Sequence, residues 1–216
     1  MTLSLFAPTE ASRSPRTIAP GAVLLGGFAL PDADTLLAAL PEILAVAPFR
    51  HMVTPGGRRM SVAMTNCGAL GWVSDRAGYR YETVDPATGW PWPAMPRVLG
   101  DFARRAAQAA GFSGFAPDVC LINRYEPGNR LALHQDRDER DFAHPIVSLS
   151  LGASADFLFG GPARGDRVEK LPLHHGDVVV WGGVARRHYH GVAPLEPGQE
   201  GVFGQVRINL TFRRAG

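Results

Sequence analysis

The stretch VCLINRYEPGNRLALHQD, residues 119–136, decides what kind of fold this chain makes. Its first half alternates, so that Leu121, Asn123 and Tyr125 share one face of a strand. Pro127-Gly128 then supplies a turn. A second strand resumes and delivers His134 and Asp136 to a common side. The same texture continues to the C-terminus in PIVSLSLG, ADFLFGG, GDVVVWGG and VFGQVRINLTFR, short apolar runs separated by Gly, Pro and Asp turns. Runs of that length at such close spacing predict an all-β sandwich or barrel over residues 116–216.

Upstream the period changes. Between Pro31 and Ala47, Leu36, Leu37, Leu40, Ile43 and Leu44 recur at helical spacing, with Asp32 or Asp34 as N-cap and Pro41 as a break. Pro96 to Ala110 is a second helix, with Val98, Leu99, Phe102 and Ala106 on one face and Gly111 as its stop. Residues 7–20 are rich in Pro, Ser, Thr and Arg, so residues 1–20 are expected to form a loosely held arm, with a single domain over residues 21–216. Phe49 to Trp92 mixes strand-like MSVAMTN with loops full of Gly, Pro, Arg and aromatics, as a functional lid or a connecting loop would.

A chain of 216 residues with 45% hydrophobic and 19% charged residues has the composition of one large globular domain, which excludes disorder for most of it. A net charge of +2 permits a nucleic-acid partner without demanding one. Cys67 and Cys120 are isolated in apolar runs and read as buried thiols of a reducing compartment, which points to the cytoplasm. The most apolar run, GAVLLGGFAL, is too short to span a bilayer, so no membrane association is expected.

His134-Gln-Asp136 is weak evidence of a metal site by itself, since a second match, His175-Gly-Asp177, occurs in the same chain. That second match reads as a tight turn entering VVVW, with glycine supplying backbone freedom and aspartate capping the turn. For His134 and Asp136 a third ligand must come from elsewhere, and His188 and His190 in HYHG are the available donors. Two histidines and one carboxylate leave three metal positions open, the geometry of non-haem Fe(II) oxygenases. A structural or surface role is preferred for His51, His144, His174 and His188. In RINLTFR, Arg207, Asn209, Thr211 and Arg213 point to one face and Ile208, Leu210 and Phe212 to the other. The polar face is either solvated or an interior surface whose forked guanidinium donors capture a carboxylate.

NRYEPGNRLALHQDRDE, GDVVVWGG, HYHG and RINLTFR, together with PFRHMVTPGGRRMSVAMTNCGALGW and PWPAMP, resemble the AlkB alkylation-repair dioxygenases from about Gly21 to Gly216. The resemblance implies a mainly β, α+β fold: a double-stranded β-helix (jelly-roll) core with N-terminal helices and a nucleotide-recognition lid over residues 49–92. It implies Fe(II) held by His134, Asp136 and His190, and a 2-oxoglutarate co-substrate engaged by Arg207 and Arg213 with help from Asn123, Tyr125 and Asn209. With O2 these would oxidise the methyl group of 1-methyladenine or 3-methylcytosine in single- or double-stranded DNA, or in RNA, releasing formaldehyde, succinate and CO2. Asp138 and Glu139 would accept hydrogen bonds from the exocyclic amine of a cationic base, and Trp72 would offer a stacking face. Thr54, Met64 and Tyr79 correspond to family positions near the nucleotide, and Arg164 lies in a loop that could border the base. Arg58 and Arg59 make this lid more basic than the family pattern. His188 stands where the family pattern has a large apolar residue, which could alter the pocket wall, with ligation in rivalry to His190 the alternative to its preferred structural role. A monomer is expected. The alternatives are a 2-oxoglutarate-dependent hydroxylase of a small molecule or protein, and a catalytically silent jelly-roll binding module.

Overall fold

Antiparallel pairing accounts for every named strand ladder in the computed structural model, which describes residues 15–198 and 201–216. In chain order the strands begin with β1 (Arg16–Ala19), β2 (Ala22–Leu25), β3 (Ala63–Gly68), β4 (Gly71–Asp75) and β5 (Gly78–Glu82). They continue with β6 (Val119–Tyr125), β7 (Leu131–His134), β8 (Ile146–Gly152), β9 (Ala155–Phe159) and β10 (Glu169–Leu173). The last four are β11 (Val178–Trp181), β12 (His190–Val192), β13 (Val202–Gln205) and β14 (Arg207–Arg213). A seven-stranded sheet runs β1-β2-β11-β8-β14-β6-β3, a four-stranded sheet runs β10-β9-β12-β7, and β4 with β5 forms a separate hairpin. Two such sheets with crossing connections are the expected jelly roll.

The helices are α1 (Ala33–Ala38), α2 (Leu40–Val46) and α3 (Arg97–Ala109). Pro41 sits in the first turn of α2, where its missing N–H leaves no partner stranded, so the predicted break falls just before it. Asp32 occupies the N-cap position of α1 without a side-chain capping bond. Leu36, Ile43, Leu99 and Phe102 from these helices bury against Ile208, Leu210 and Phe212, the apolar face of β14. Each such side chain contributes about 1.5–3 kcal/mol on burial, which fixes which face of β14 turns inward toward the other sheet. A second core between the sheets holds Met64, Phe157, Phe159, Leu171, Leu173 and Trp181.

The structure corrects three boundaries. Residues 1–14 of the expected arm lie outside the described residues, whereas Arg16–Ala19 form an edge strand paired with β2. The four residues Arg-Thr-Ile-Ala, stopped by Pro20, are too short a run to stand out in sequence. The core is not confined to residues 116–216, because β2 and β3 complete the large sheet. β3 consequently leaves the expected lid range, and its pairing with β6 places Met64 opposite Asn123. VFGQVRINLTFR is two strands, with exposed β13 separated at Val206 from buried β14.

Cys67 and Cys120 face each other across β3 and β6 as buried free thiols. Among the described residues, no helix is long and apolar enough to cross a membrane.

Candidate active site

The minor sheet builds the centre of the site by register. β12 pairs with β7 so that His190 lies directly opposite His134, and their rings stand 4.4 Å apart between centroids. Asp136 follows two residues beyond β7, and one ligand atom from each of the three side chains lies within 4.8 Å of the others. His134 Nδ1 is 2.9 Å from the carbonyl of Ala132 and His190 Nδ1 is 3.0 Å from that of His188. A carbonyl can only accept, so each Nδ1 carries the proton and each Nε2 is left as a lone-pair donor. Both Nε2 atoms face Asp136, at 3.5 and 3.8 Å. Burial, reinforced by His134, pushes His190 down to about 3, so its imidazole is neutral and ready to ligate. Burial alone would raise the Asp136 carboxyl, but Arg213 and the two histidines hold it well below the ordinary carboxylate range. Two neutral imidazoles and a carboxylate are the donor set for Fe(II) with open positions, and these residues fit that ion.

β14 supplies the second half of the site. Arg207, Asn209, Thr211 and Arg213 are buried on the interior face, which replaces the solvated alternative. Arg213 donates from Nε to Asp136 Oδ2 at 2.8 Å, and its Nη2 lies 2.7 Å from the same oxygen. Arg207 has no carboxylate within ion-pair distance among the described residues. It stacks on Tyr125, 4.9 Å from the ring centroid, and donates from Nη2 to Ser150 at 2.9 Å. Its Nε and Nη1 have no protein partner although they are buried, and neither does Arg213 Nη1. Burial lowers the Arg207 pKa from the ordinary guanidinium value, the mark of a cation lacking a counter-charge. Such donors fit a small dicarboxylate. Asn123 donates to Asn209 Oδ1 at 3.1 Å, and Asn209 donates to Ser148 at 2.8 Å, so the amides form one hydrogen-bonded row beside the arginines.

A cavity of about 750 Å³ joins both halves to a mouth at the β4–β5 hairpin. Its lining contains Thr54, Met64, Trp72, Tyr79, Asp138 and Arg164 as well as the triad and the polar face of β14. Trp72 and Tyr79 stack with rings 5.7 Å apart and 12° between planes, and Trp72 Nε1 donates to Asp138 at 2.8 Å. Arg164 packs over Tyr189 and donates to the carbonyl of Leu133. Met64 is buried in the core between the sheets and forms cavity wall at the same time.

One expectation fails. Glu139 does not line the cavity: its side chain is buried behind Asp136, accepting from Tyr81 at 2.8 Å and facing Arg186 and Arg213 at 3.2 and 3.3 Å. Residues 134–138 all line the cavity, and the chain turns Glu139 away from it toward Arg186 and Arg213. His188, for which the sequence favours a structural role over ligation, packs its ring 5.5 Å from Phe159 outside the ligand cluster. Sequence reasoning missed Ser148 and Ser150, which alternation in PIVSLSLG could have placed on the arginine side. It also missed Tyr81 and buried Arg186, for which no period or motif gave a signal.

An antiparallel jelly roll with a His-Asp-His cluster beside a buried arginine face defines a non-haem iron oxygenase of the 2-oxoglutarate type. The catalytically silent alternative is thereby set aside. Residues 21–213 match the profile of the 2OG-Fe(II) oxygenase superfamily, and the chain belongs to that family, whose members use Fe(II), 2-oxoglutarate and O2. It is 54% identical to the alpha-ketoglutarate-dependent dioxygenase AlkB of Salmonella typhimurium over 99% of this chain and 98% of that protein. It is 33% identical to the DNA N(6)-methyladenine demethylase ALKBH1D of Arabidopsis thaliana over 94% of this chain and 51% of that protein. The solved structure described as OsALKBH1 superposes with a TM-score of 0.82 at 28% identity, covering 93% of this chain and 99% of that one.

Proposed function

We propose that this protein removes methyl groups oxidatively from N-alkylated nucleobases, 1-methyladenine and 3-methylcytosine, in single- or double-stranded DNA, with RNA the alternative polymer. The observation that carries this reading is the mouth of the cavity: a stacked Trp72–Tyr79 pair whose indole is hydrogen-bonded to an exposed carboxylate, Asp138, opening onto the His134–Asp136–His190 cluster. An aromatic face and a carboxylate select a flat, cationic ring, and the methylated bases are cationic near neutral pH. A lesion that blocks pairing is also cheaper to flip out of a duplex, so charge and extrusion select the same substrate.

In this reading His134, Asp136 and His190 hold Fe(II), which with 2-oxoglutarate and O2 supplies oxidation of the methyl carbon and yields succinate and CO2. Arg207, paired with no acid, binds one carboxylate of the co-substrate, and Arg213 Nη1 with Asn123, Tyr125 and Asn209 lines the remainder of its bed. Trp72, Tyr79 and Asp138 orient the base so that its methyl group faces the metal side of the cavity. Thr54, Met64 and Arg164 complete the wall around the nucleotide. The hydroxymethylated nitrogen then expels formaldehyde and restores the base. Buried, unpaired Cys67 and Cys120 support a cytoplasmic setting, and the protein is taken as a monomer.

The test incubates the protein, loaded with Fe(II) without oxygen, with 2-oxoglutarate, O2 and an oligonucleotide containing 3-methylcytosine, and measures formaldehyde. Release well above that of His134→Ala is expected. Equal release would overturn the proposal, and succinate formation without formaldehyde would move the substrate to a small molecule or protein.

A further inference from the structure

Two hydrogen bonds join the β4–β5 hairpin to the segment that carries the metal ligands. One is in the cavity, from Trp72 to Asp138. The other lies behind it, where Tyr81 donates to Glu139 at 2.8 Å. Tyr81 is registered directly opposite Trp72 in the hairpin, so what fixes the tyrosine also fixes the stacking residue. Burial pushes the Tyr81 phenol well above ordinary tyrosine values, against the pull of Arg213, so its hydroxyl remains a donor.

The acceptor of that bond sits among charges with no access to water. Glu139 has 1% of its side chain exposed and faces Arg186 Nη2 at 3.2 Å and Arg213 Nε at 3.3 Å. Arg213 in turn engages Asp136. Arg186 is itself 3% exposed at its side chain, and donates from Nε to the carbonyl of His144 at 3.0 Å. Two guanidinium groups and two carboxylates thus form one closed set, in which the Nε edge of Arg213 is shared between both acids, while its buried Nη1 has no protein partner and the residue lines the cavity. A charge set of this kind holds its members in one geometry, because removing any one leaves another buried and unpaired.

We propose that Glu139 is a positioning residue that sets two things with one carboxylate: the direction of Arg213 toward 2-oxoglutarate and, through Tyr81, the seating of the Trp72–Tyr79 hairpin over the base. This rests on the function proposed above for the cavity. Tyr81 is the branch that serves the hairpin alone, because losing its hydroxyl leaves every charge in the set paired. Glu139 serves both branches.

Binding measured without turnover separates the branches. Calorimetric titration with Mn(II) in place of iron, in the absence of O2, gives the affinity for 2-oxoglutarate. A second titration gives the affinity of the co-substrate-loaded protein for an oligonucleotide containing 3-methylcytosine. Tyr81→Phe is expected to weaken oligonucleotide binding about 3- to 10-fold, a hydrogen bond's worth, and to leave 2-oxoglutarate binding within about twofold. Glu139→Ala, which removes the acceptor altogether, is expected to weaken both, and adding Tyr81→Phe to it should cost no further oligonucleotide affinity. Additive losses in the double variant, or a Tyr81→Phe protein that binds oligonucleotide as well as the wild type does, would overturn the inference while leaving the demethylase reading intact. Wild-type protein that binds 2-oxoglutarate but not the methylated oligonucleotide would overturn both. The Tyr81→Phe change removes one oxygen from a half-buried ring, so its result stands even where Glu139→Ala folds poorly.

Discussion

Arg207 and Arg213 sit on one strand face six residues apart, and their partners differ. Arg213 is saturated on one edge by Asp136 and Glu139, while Arg207 has an aromatic ring beneath it, one serine hydroxyl and two idle donors. Arg207→Ala therefore removes a carboxylate anchor without stranding any acid. It should lose about 2–4 kcal/mol of 2-oxoglutarate affinity, roughly 30- to 1000-fold, with oligonucleotide binding little changed. Titration of each ligand into the Mn(II) protein checks this, and parallel losses on both ligands would reassign the strand to nucleic acid. Arg213→Ala should behave differently, because it also leaves Asp136 and Glu139 facing each other's charge without a cation between them. Reduced metal affinity should accompany its loss of co-substrate affinity. At the mouth, Asp138→Ala should lower kcat/KM for 3-methylcytosine more than for a neutral ethenoadenine lesion, since only the former loses a counter-charge. Equal losses on the two lesions would leave Asp138 as no more than a tether for Trp72.

Among the elements, the turn His175-Gly176-Asp177 shows how a metal-like pattern can be purely architectural. Gly176 has φ +83°, and a Cβ there would meet Leu30 at 2.7 Å. Asp177 accepts from the backbone N–H groups of Gly27 and His174, and His175 Nδ1 accepts from that of Gly152 at 3.0 Å. That last bond requires an unprotonated Nδ1. Burial lowers the His175 pKa from 6.5, with Asp34 and Asp177 pulling the other way. A lowered histidine contributes stability that is present above the unfolded value and lost as pH falls below about 6.5. His190, lowered to about 3, loses its share over the same range and below it. Urea midpoints of the metal-free protein should therefore fall from pH 7 to pH 5, and His175→Ala should flatten part of that slope. An unchanged slope would mean that the turn does not sense protonation. The same elements show what sequence discloses. Alternation in RINLTFR and the His134–Asp136 pair were legible because each is local, and period two alone predicts which side chains share a face, whereas the third ligand, His190, and the interior placement of the polar face came only with the family resemblance. The edge strand at Arg16–Ala19 was not legible, since four residues carry too little pattern and only pairing with β2 defines them. Glu139 was misplaced for a related reason: whether an acid beside a ligand faces the cavity or the interior depends on Arg186, some 47 residues later in the chain, and no spacing rule connects them.

Over the whole molecule the formal charge is only +2, yet its distribution suits a polyanion. Arg58, Arg59, Arg130, Arg137 and Arg164 all line the cavity proposed to take the cationic base, and none has a carboxylate partner within ion-pair distance among the described residues. The acids at that face are Asp136 and Asp138, one turned to the metal side and one bonded to Trp72. Phosphates flanking a flipped base would therefore meet guanidinium groups, while the base itself meets a carboxylate, so the backbone and the lesion are recognised by charges of opposite sign. Arg58 and Arg59 are exposed at the rim, next to the Thr54 hydroxyl that accepts from the Arg58 backbone N–H. If each contacts one phosphate of a single strand, replacing both with alanine should reduce the slope of log K against log salt by about 1.4, or about 0.7 per phosphate. It should weaken methylated and unmodified oligonucleotides by the same factor, because phosphates carry no information about the base. Fluorescence anisotropy over a salt series measures both quantities. A salt slope unchanged in the double variant would place Arg58 and Arg59 in bulk solvent and leave phosphate contact to Arg130, Arg137 and Arg164, whereas a loss confined to the methylated strand would put the pair at the base.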